Sequence, residues 1–259
     1  MPYDKKGNTV KLLVIVLCLL SERFIVHGKS HHRFSWFATY EKHLIKYLSN
    51  VPFLSSPIVL LVGVLLPIFI LTTIAFSLFA GWIFGFVGLL FNIFIFYYCL
   101  GPTNPFYPVR QGPDENMKRN EAGDFLSQTN SQLFAVLFWY IVSGPLFILM
   151  YRLLSLSQKQ RIVGKLATSL TQLLDWMPAR MAALLYLLVG HFQAGRSKFA
   201  KLFFSAPAKN HTLLSTCGVL ALGVGQNESV QMTEAESLVE HAVIALLVLL
   251  AVFTLVAWV

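Results

Sequence analysis

PIVLLVGVLLPIFILTTIAFSLFAGWIFGFVGLLFNIFIFYYCL, residues 57–100, contains no Asp, Glu, Lys, Arg or His. A soluble core has no use for an uncharged run of that length, whereas a helix crosses the hydrocarbon layer of a bilayer in about 20 residues. The stretch reads as two membrane spans, about 57–79 and 81–100, joined by a tight turn at Gly81 before Trp82.

Working outward towards the C-terminus, residues 101–131 carry Pro102, Pro105, Pro108 and Pro113 and read as a polar extramembrane loop. Residues 132–151 are again uncharged and give a third span, with Gly144-Pro145 near its middle. Proline has no N–H to offer the preceding turn, so a break there frees backbone carbonyls that need partners in hydrocarbon. The partner is either a packed neighbouring helix at a kink or a lined polar pocket. Residues 152–180 are polar and basic, and the apolar stretch that follows, about 178–192, is short enough for a re-entrant or interfacial helix. Residues 199–240 read as a moderately apolar loop region, and about 240–259 close the chain as a fourth span.

Towards the N-terminus, Ser30–Asn50 places Phe34, Trp36, Phe37, Tyr40, Leu44 and Tyr47 at helical spacing among Arg33, Lys42 and Lys46. That is a basic amphipathic helix suited to the membrane surface. Before it, Lys5, Lys6 and Lys11 precede an apolar run in the order of a signal anchor, about 11–26, and no small-residue exit marks a cleavage site. Glu22 and Arg23 interrupt this run, which shortens the first helix or leaves an ion pair at its end. The expectation is an all-α, polytopic helical membrane protein: one membrane domain over 1–259, with four clear spans, one or two short or re-entrant helices, and interfacial amphipathic helices.

Composition agrees. Charged residues make up 12% of the chain and hydrophobic ones 56%, about half the charge of a soluble domain. The net charge of +8 does not indicate nucleic acid, because the basic residues flank apolar runs, where they meet anionic headgroups. Orientation stays open: residues 30–50 and 152–240 are both basic, and three clean crossings between them cannot leave both on the cytoplasmic side.

Motifs for chemistry are sparse. Gly28-Lys29-Ser30 ends like a phosphate-binding loop, but Arg23 stands where that loop needs its first glycine. His27, His31 and His32 have no acidic or thiol partner before Glu41, so they read as a surface cluster rather than a metal site. Cys18, Cys99 and Cys217 are isolated, and no Gly-x-Ser-x-Gly elbow occurs. No cofactor, metal site or catalytic residue is expected.

Several stretches carry a resemblance: Ser21-Glu22-Arg23-Phe24, Tyr98-Cys99-Leu100-Gly101, Phe134 to Tyr140 with Trp139, Ser143-Gly144-Pro145, Met150-Tyr151-Arg152-Leu153-Leu154, Asp175-Trp176-Met177-Pro178-Ala179-Arg180 and Val189-Gly190-His191-Phe192. On these the chain resembles the AmpE family, inner-membrane proteins of the β-lactamase induction locus, over nearly its whole length. That family is itself similar to membrane cobalamin-biosynthesis amide synthases, which share the Asp-x-x-Pro-Ala-Arg stretch. The enzymes' other acidic and arginine-rich motifs have no counterpart here. The resemblance implies a multi-pass protein of the cell inner membrane with an ancillary, regulatory part in β-lactamase induction and cell-wall recycling. Its implied partners are the lipid bilayer and a muropeptide or recycling protein, not nucleic acid. A second reading is an amide synthase-like enzyme related to those synthases, and a third is a muropeptide carrier, for which the broken Gly144-Pro145 span is the only hint.

The candidate functional residues are therefore Glu22, Arg23, Trp139, Gly144, Pro145, Tyr151, Arg152, Asp175, Trp176, Pro178 and Arg180. Asp175 is placed to N-cap a helix with Pro178 at its third position, Trp176 at headgroup depth, and Arg180 in reach of Asp175 or a lipid phosphate. Arg152, at a span's end, reads as a headgroup anchor.

Overall fold

The computed structural model describes residues 11–19, 34–49, 56–79, 86–100, 116–223 and 229–256. These are mostly helical: α1 (11–19), α2 (Ser35–Ser49), α3 (Pro57–Phe79), α4 (Phe86–Cys99), α5 (Arg119–Thr129), a π-helical turn (Asn130–Phe134), α6 (Ala135–Ser143), α7 (Pro145–Ser157), α8 (Gly164–Leu174), α9 (Trp176–Val189), α10 (Phe192–Leu202), a 3₁₀ turn (Pro207–Lys209), α11 (Asn210–Ala221) and α12 (Met232–Val256). Asn116–Met117 and Val230–Gln231 pair antiparallel, tying the start of α5 to the start of α12.

Among the described residues two helices, within Pro57–Leu78 and Met232–Val256, are long and apolar enough to cross a membrane. Both leave large apolar side chains uncovered, among them Leu71 and Leu78 on α3 and Phe253 and Leu255 on α12. A buried core helix would hide those groups, and a water-exposed one would lose about 25 cal/mol for each Å² left wet. Within the expected span 81–100, α4 covers Phe86–Cys99, and the Gly81 turn lies outside the described residues. Within 132–151 the helix is divided by the π turn and, at the expected Gly-Pro pair, by a break at Gly144. Gly144 has φ 85° and ψ −170°, a backbone that only glycine adopts freely, and Pro145 starts the next helix at its first position.

Two expected loops are also helical. Within 101–131, α5 forms because Ala122, Leu126 and Thr129 share one buried face at helical spacing. Within 199–240, α11 buries Leu213, Leu214 and Cys217, and α12 begins at Met232, eight residues before the expected span. Small residues hide these helices in a hydropathy profile while letting them pack closely. A side chain on Gly123 would meet Ser215 at 2.9 Å, and one on Gly218 would meet Leu126 at 2.6 Å, so α5 and α11 cross almost backbone to backbone.

The centre of the structure is α9, where Ala179, Ala182, Ala183, Leu185, Tyr186 and Leu187 are all buried. It packs against α11, α12 and the π turn. Phe134 meets the Tyr186 ring edge-on at 5.5 Å, and the Tyr186 hydroxyl donates to the Leu126 carbonyl at 3.1 Å. The amphipathic reading of 30–50 matches α2, which turns Phe37, Glu41 and Ile45 inward against α3 and α7 and leaves Lys42 and Lys46 exposed.

Candidate functional site

The π turn organises the site. A π turn widens the helix by one residue and interrupts the regular carbonyl ladder. Ala135 here donates to Asn130 five residues back, while the Asn130 N–H reaches Ser127. Carbonyls on the N-terminal side of the turn take side-chain donors: Thr129 to Phe125 at 2.9 Å, Ser131 to Gln128 at 2.9 Å and Tyr186 to Leu126. Tyr151 on α7 also lies 3.5 Å from the Ser131 carbonyl, and Arg152 reaches that of Gln132 at 3.5 Å.

Tyr151 and Asp175 form the polar centre. The Tyr151 hydroxyl, itself buried, donates to Asp175 Oδ1 at 2.7 Å. The expected N-cap is thereby corrected: Asp175 precedes α9 with a helical backbone (φ −73°, ψ −9°) and makes no side-chain cap hydrogen bond. A residue already in the helical region presents its carboxylate sideways, towards Tyr151, and not up the helix at the N–H groups. Asp175 lies outside the two long apolar helices, between α8 and α9. Burial pushes its carboxyl up to about 6, although the Tyr151 hydrogen bond and the Arg152 charge both pull it down. Part of its surface remains open to a cleft of about 360 Å³ between α5, the π turn, α8 and α11.

That cleft is polar. Asp124, Ser127, Gln128, Asn130, Ser155 and Gln158 contribute from the α5 and α7 side; Gln172, Asn210 and His211 contribute from the other. Among the described residues no Lys, Arg, Phe, Tyr or Trp lines it. At its rim His211 Nε2 lies 3.1 Å from Asp124 Oδ1, both side chains largely exposed. Asn130 is 2% exposed, and its side-chain oxygen has no hydrogen-bond partner among the described residues.

Two of the three arginines of the expected site, Arg152 and Arg180, are placed otherwise than expected. Arg152 is 3% exposed, so it is no headgroup anchor; its Nε donates to the Cys99 carbonyl at 2.8 Å, closing the C-terminal end of α4. Arg180 is equally buried, and none of its hydrogen bonds among the described residues goes to Asp175. Its guanidinium donates to the carbonyls of Phe203 (2.8 Å), Trp176 (2.7 Å) and Ser205 (2.9 Å) and to Asn210 Oδ1 (2.6 Å). It also lies 4.2 Å over the Trp176 ring. Five donors in a rigid fork suit a chain reversal with several unmet carbonyls, which a lysine could not serve together. Trp176 belongs to the same knot, donating to Ser205 at 3.1 Å. Asn210 completes it by donating to Gln172 at 2.8 Å.

Pro178 is the third residue of α9 as expected. The Gly144-Pro145 break is filled from within the chain. Pro145 offers no N–H to Ile141, and the Lys11 ammonium on α1 donates to that carbonyl at 2.9 Å. Trp139 stacks near Phe147 at 4.7 Å and leaves its indole N–H without a partner among the described residues. The structure thus joins Tyr151, Asp175 and the cleft, sets Trp176, Pro178 and Arg180 beside them as framework, and puts Trp139, Gly144 and Pro145 elsewhere. Glu22, Arg23 and the Gly28-Lys29-Ser30 stretch lie outside the described residues, as do His27, His31 and His32. No cluster of His, Cys, Asp and Glu that could hold a metal ion occurs among the described residues.

No family model matches the chain, and neither a curated protein nor a solved structure matches it.

Asn130, Gln172, Asn210 and His211 were not among the residues singled out from the sequence. The one available signal was the polar run Ser127-Gln128-Thr129-Asn130-Ser131-Gln132 at the head of an apolar stretch.

Proposed function

We propose that the chain is a multi-pass inner-membrane protein with an ancillary, regulatory role in β-lactamase induction and cell-wall recycling, as the AmpE resemblance implies, and that the cleft beside Asp175 is its recognition site. The observation that carries this reading is the placement of Asp175. It belongs to one of the stretches that carry the resemblance and is the member of that stretch whose charge faces a cleft. Polytopic insertion is supported by the two long apolar helices with exposed faces and by the short apolar helices α4, α7 and α9, which can enter a bilayer beside them.

An amide synthase-like activity is disfavoured by the same geometry. Such chemistry handles phosphate, and the nearby guanidinium groups of Arg152 and Arg180 are engaged with backbone carbonyls in the interior. The test replaces Asp175 by Asn in a Gram-negative host carrying the induction locus. Membrane levels of the protein are matched by immunoblot, and β-lactamase activity is followed after addition of an inducing β-lactam. An altered induction response is expected; an unchanged response at matched levels refutes the regulatory role of this site.

A further inference from the structure

The cleft says more about its ligand than the function reading does. Its charged groups are the carboxylate of Asp175 in its wall and the exposed Asp124–His211 pair at its rim, in a chain whose net charge is +8. Among the described residues no Lys or Arg lines the cleft, and Arg119 belongs to the adjoining pocket on the far side of Asp124 and His211. The remaining polar lining is hydroxyl and carboxamide groups, which pair with donors and acceptors alike.

Asn130 is the second, independent observation. Its carboxamide is 2% exposed on the cleft wall, and its oxygen has no partner among the described residues. An unmet acceptor at a buried position costs about 1–3 kcal/mol until a donor reaches it. It sits at the first position of the π turn, and such turns recur where a helix is bent to serve a site. An orphaned acceptor and an under-compensated carboxylate both want donors, and neither tolerates an incoming anion.

We propose that the cleft binds a small ligand rich in hydrogen-bond donors, hydroxyl or ammonium, and rejects ligands that carry phosphate or carboxylate. This rests on reading the cleft as a recognition site. Asp175 accepts from the ligand on the side away from Tyr151, Asn130 accepts a second donor, and the serine, asparagine and glutamine side chains match hydroxyls at the rim. A phosphate entering the same space would meet Asp175 and Asp124 with no Lys or Arg lining among the described residues to offset them.

Four probes built on one pyranose ring test this on the full chain in lipid nanodiscs, by ligand-observed saturation-transfer NMR with titration: D-glucose, D-glucosamine, D-glucuronate and D-glucose 6-phosphate. Glucose or glucosamine is expected to bind saturably, with the two acidic sugars at least about tenfold weaker, the ratio that one lost charge-compatible hydrogen bond supplies. Tighter binding of glucosamine than glucose assigns the donor as ammonium, and parity assigns it as hydroxyl. Asp175→Asn is expected to relax the discrimination against the acidic sugars, and Asn130→Leu to weaken glucose and glucosamine together. Because Asp175 is packed inside, Asp124→Asn at the exposed rim serves as a second variant and is expected to narrow the same discrimination. Acidic sugars that bind as well as or better than glucose overturn the proposal, and so does a lack of saturable binding by all four. Either failure leaves the induction experiment intact, since that response depends on Asp175 whatever the ligand's charge.

Discussion

Asp175→Asn isolates the cost of an ionised carboxylate in the wall of the cleft. The substitution keeps the shape and keeps an oxygen for the Tyr151 hydroxyl 2.7 Å away, so what it removes is the charge. Burial raises the Asp175 carboxyl to about 6 in the folded chain, from the ordinary value of 3.8. A raised folded-state value means that the folded protein holds the proton more tightly than the unfolded chain does. The resulting stability is fully present below the unfolded value and is lost as pH rises through the folded one. Over the window from pH 4 to pH 7 the wild type should therefore lose about 2 kcal/mol relative to Asp175→Asn, taking about 1.4 kcal/mol for each unit of separation and allowing for the part already lost at pH 4. Urea or thermal unfolding of both proteins in the same detergent, followed by tryptophan fluorescence at unit steps of pH, measures the difference. The two curves should lie close together at pH 4 and separate by pH 7, with the variant the more stable. A pH-independent gap, or a wild type that gains on the variant as pH rises, refutes the account of a desolvated, under-compensated carboxylate.

Other outcomes follow from named contacts. Arg180→Gln strips donors from the carbonyls of Phe203 and Ser205 and from Asn210, and should cost roughly 3 kcal/mol or more, read as a lower midpoint of unfolding and lower steady-state membrane levels. Gly144→Ala meets open space but forces a side chain onto φ 85°, which should cost about 1–2 kcal/mol in the same unfolding assay. Lys11→Met leaves the Ile141 carbonyl unmet at the proline break, and a loss of about 1–3 kcal/mol is expected from equilibrium unfolding. The exposed apolar faces of α3 and α12 predict that the protein stays in the membrane pellet after alkaline carbonate or high-salt washing; its release would remove the case for spanning helices.

Hydropathy made the helical class and the two long apolar helices legible, because an uncharged run such as 57–79 has one economical fate. It says less where length and composition part company. Residues 132–151 are uniformly apolar, yet φ 85° at Gly144 and the π turn divide them, and neither property leaves a trace in hydropathy beyond the Gly-Pro pair itself. Conversely, α11 is modest in hydropathy but buried, because Gly218 and Cys217 allow a close crossing that larger apolar residues would block. At the site, the Asp175-to-Arg180 stretch stood out by its charge within an apolar setting. Its internal wiring did not. Whether a carboxylate caps a helix or faces a tyrosine depends on one backbone turn, and a buried arginine's acceptors lay 23 to 30 residues away at Phe203, Ser205 and Asn210.

The contrast between Asp175 and Arg180 bears on which of them carries function. Arg180 satisfies acceptors that would otherwise go unmet, so its presence is explained by folding alone. Asp175 has no such explanation: an asparagine could take the Tyr151 hydrogen bond without the charge, and the fold should be firmer for it near neutral pH. A group that weakens its own fold, opens onto a cleft and lacks a structural duty that a neutral isostere could not perform is best accounted for by what it binds. The two readouts must therefore move in opposite directions for one substitution. Asp175→Asn should raise the unfolding midpoint at pH 7 while changing the β-lactamase induction response, whereas Arg180→Gln should lower the midpoint and change induction only in proportion to the protein lost. If Asp175→Asn proves more stable and leaves induction untouched at matched protein levels, the carboxylate is no more than a tolerated strain, and the cleft loses its claim to recognition.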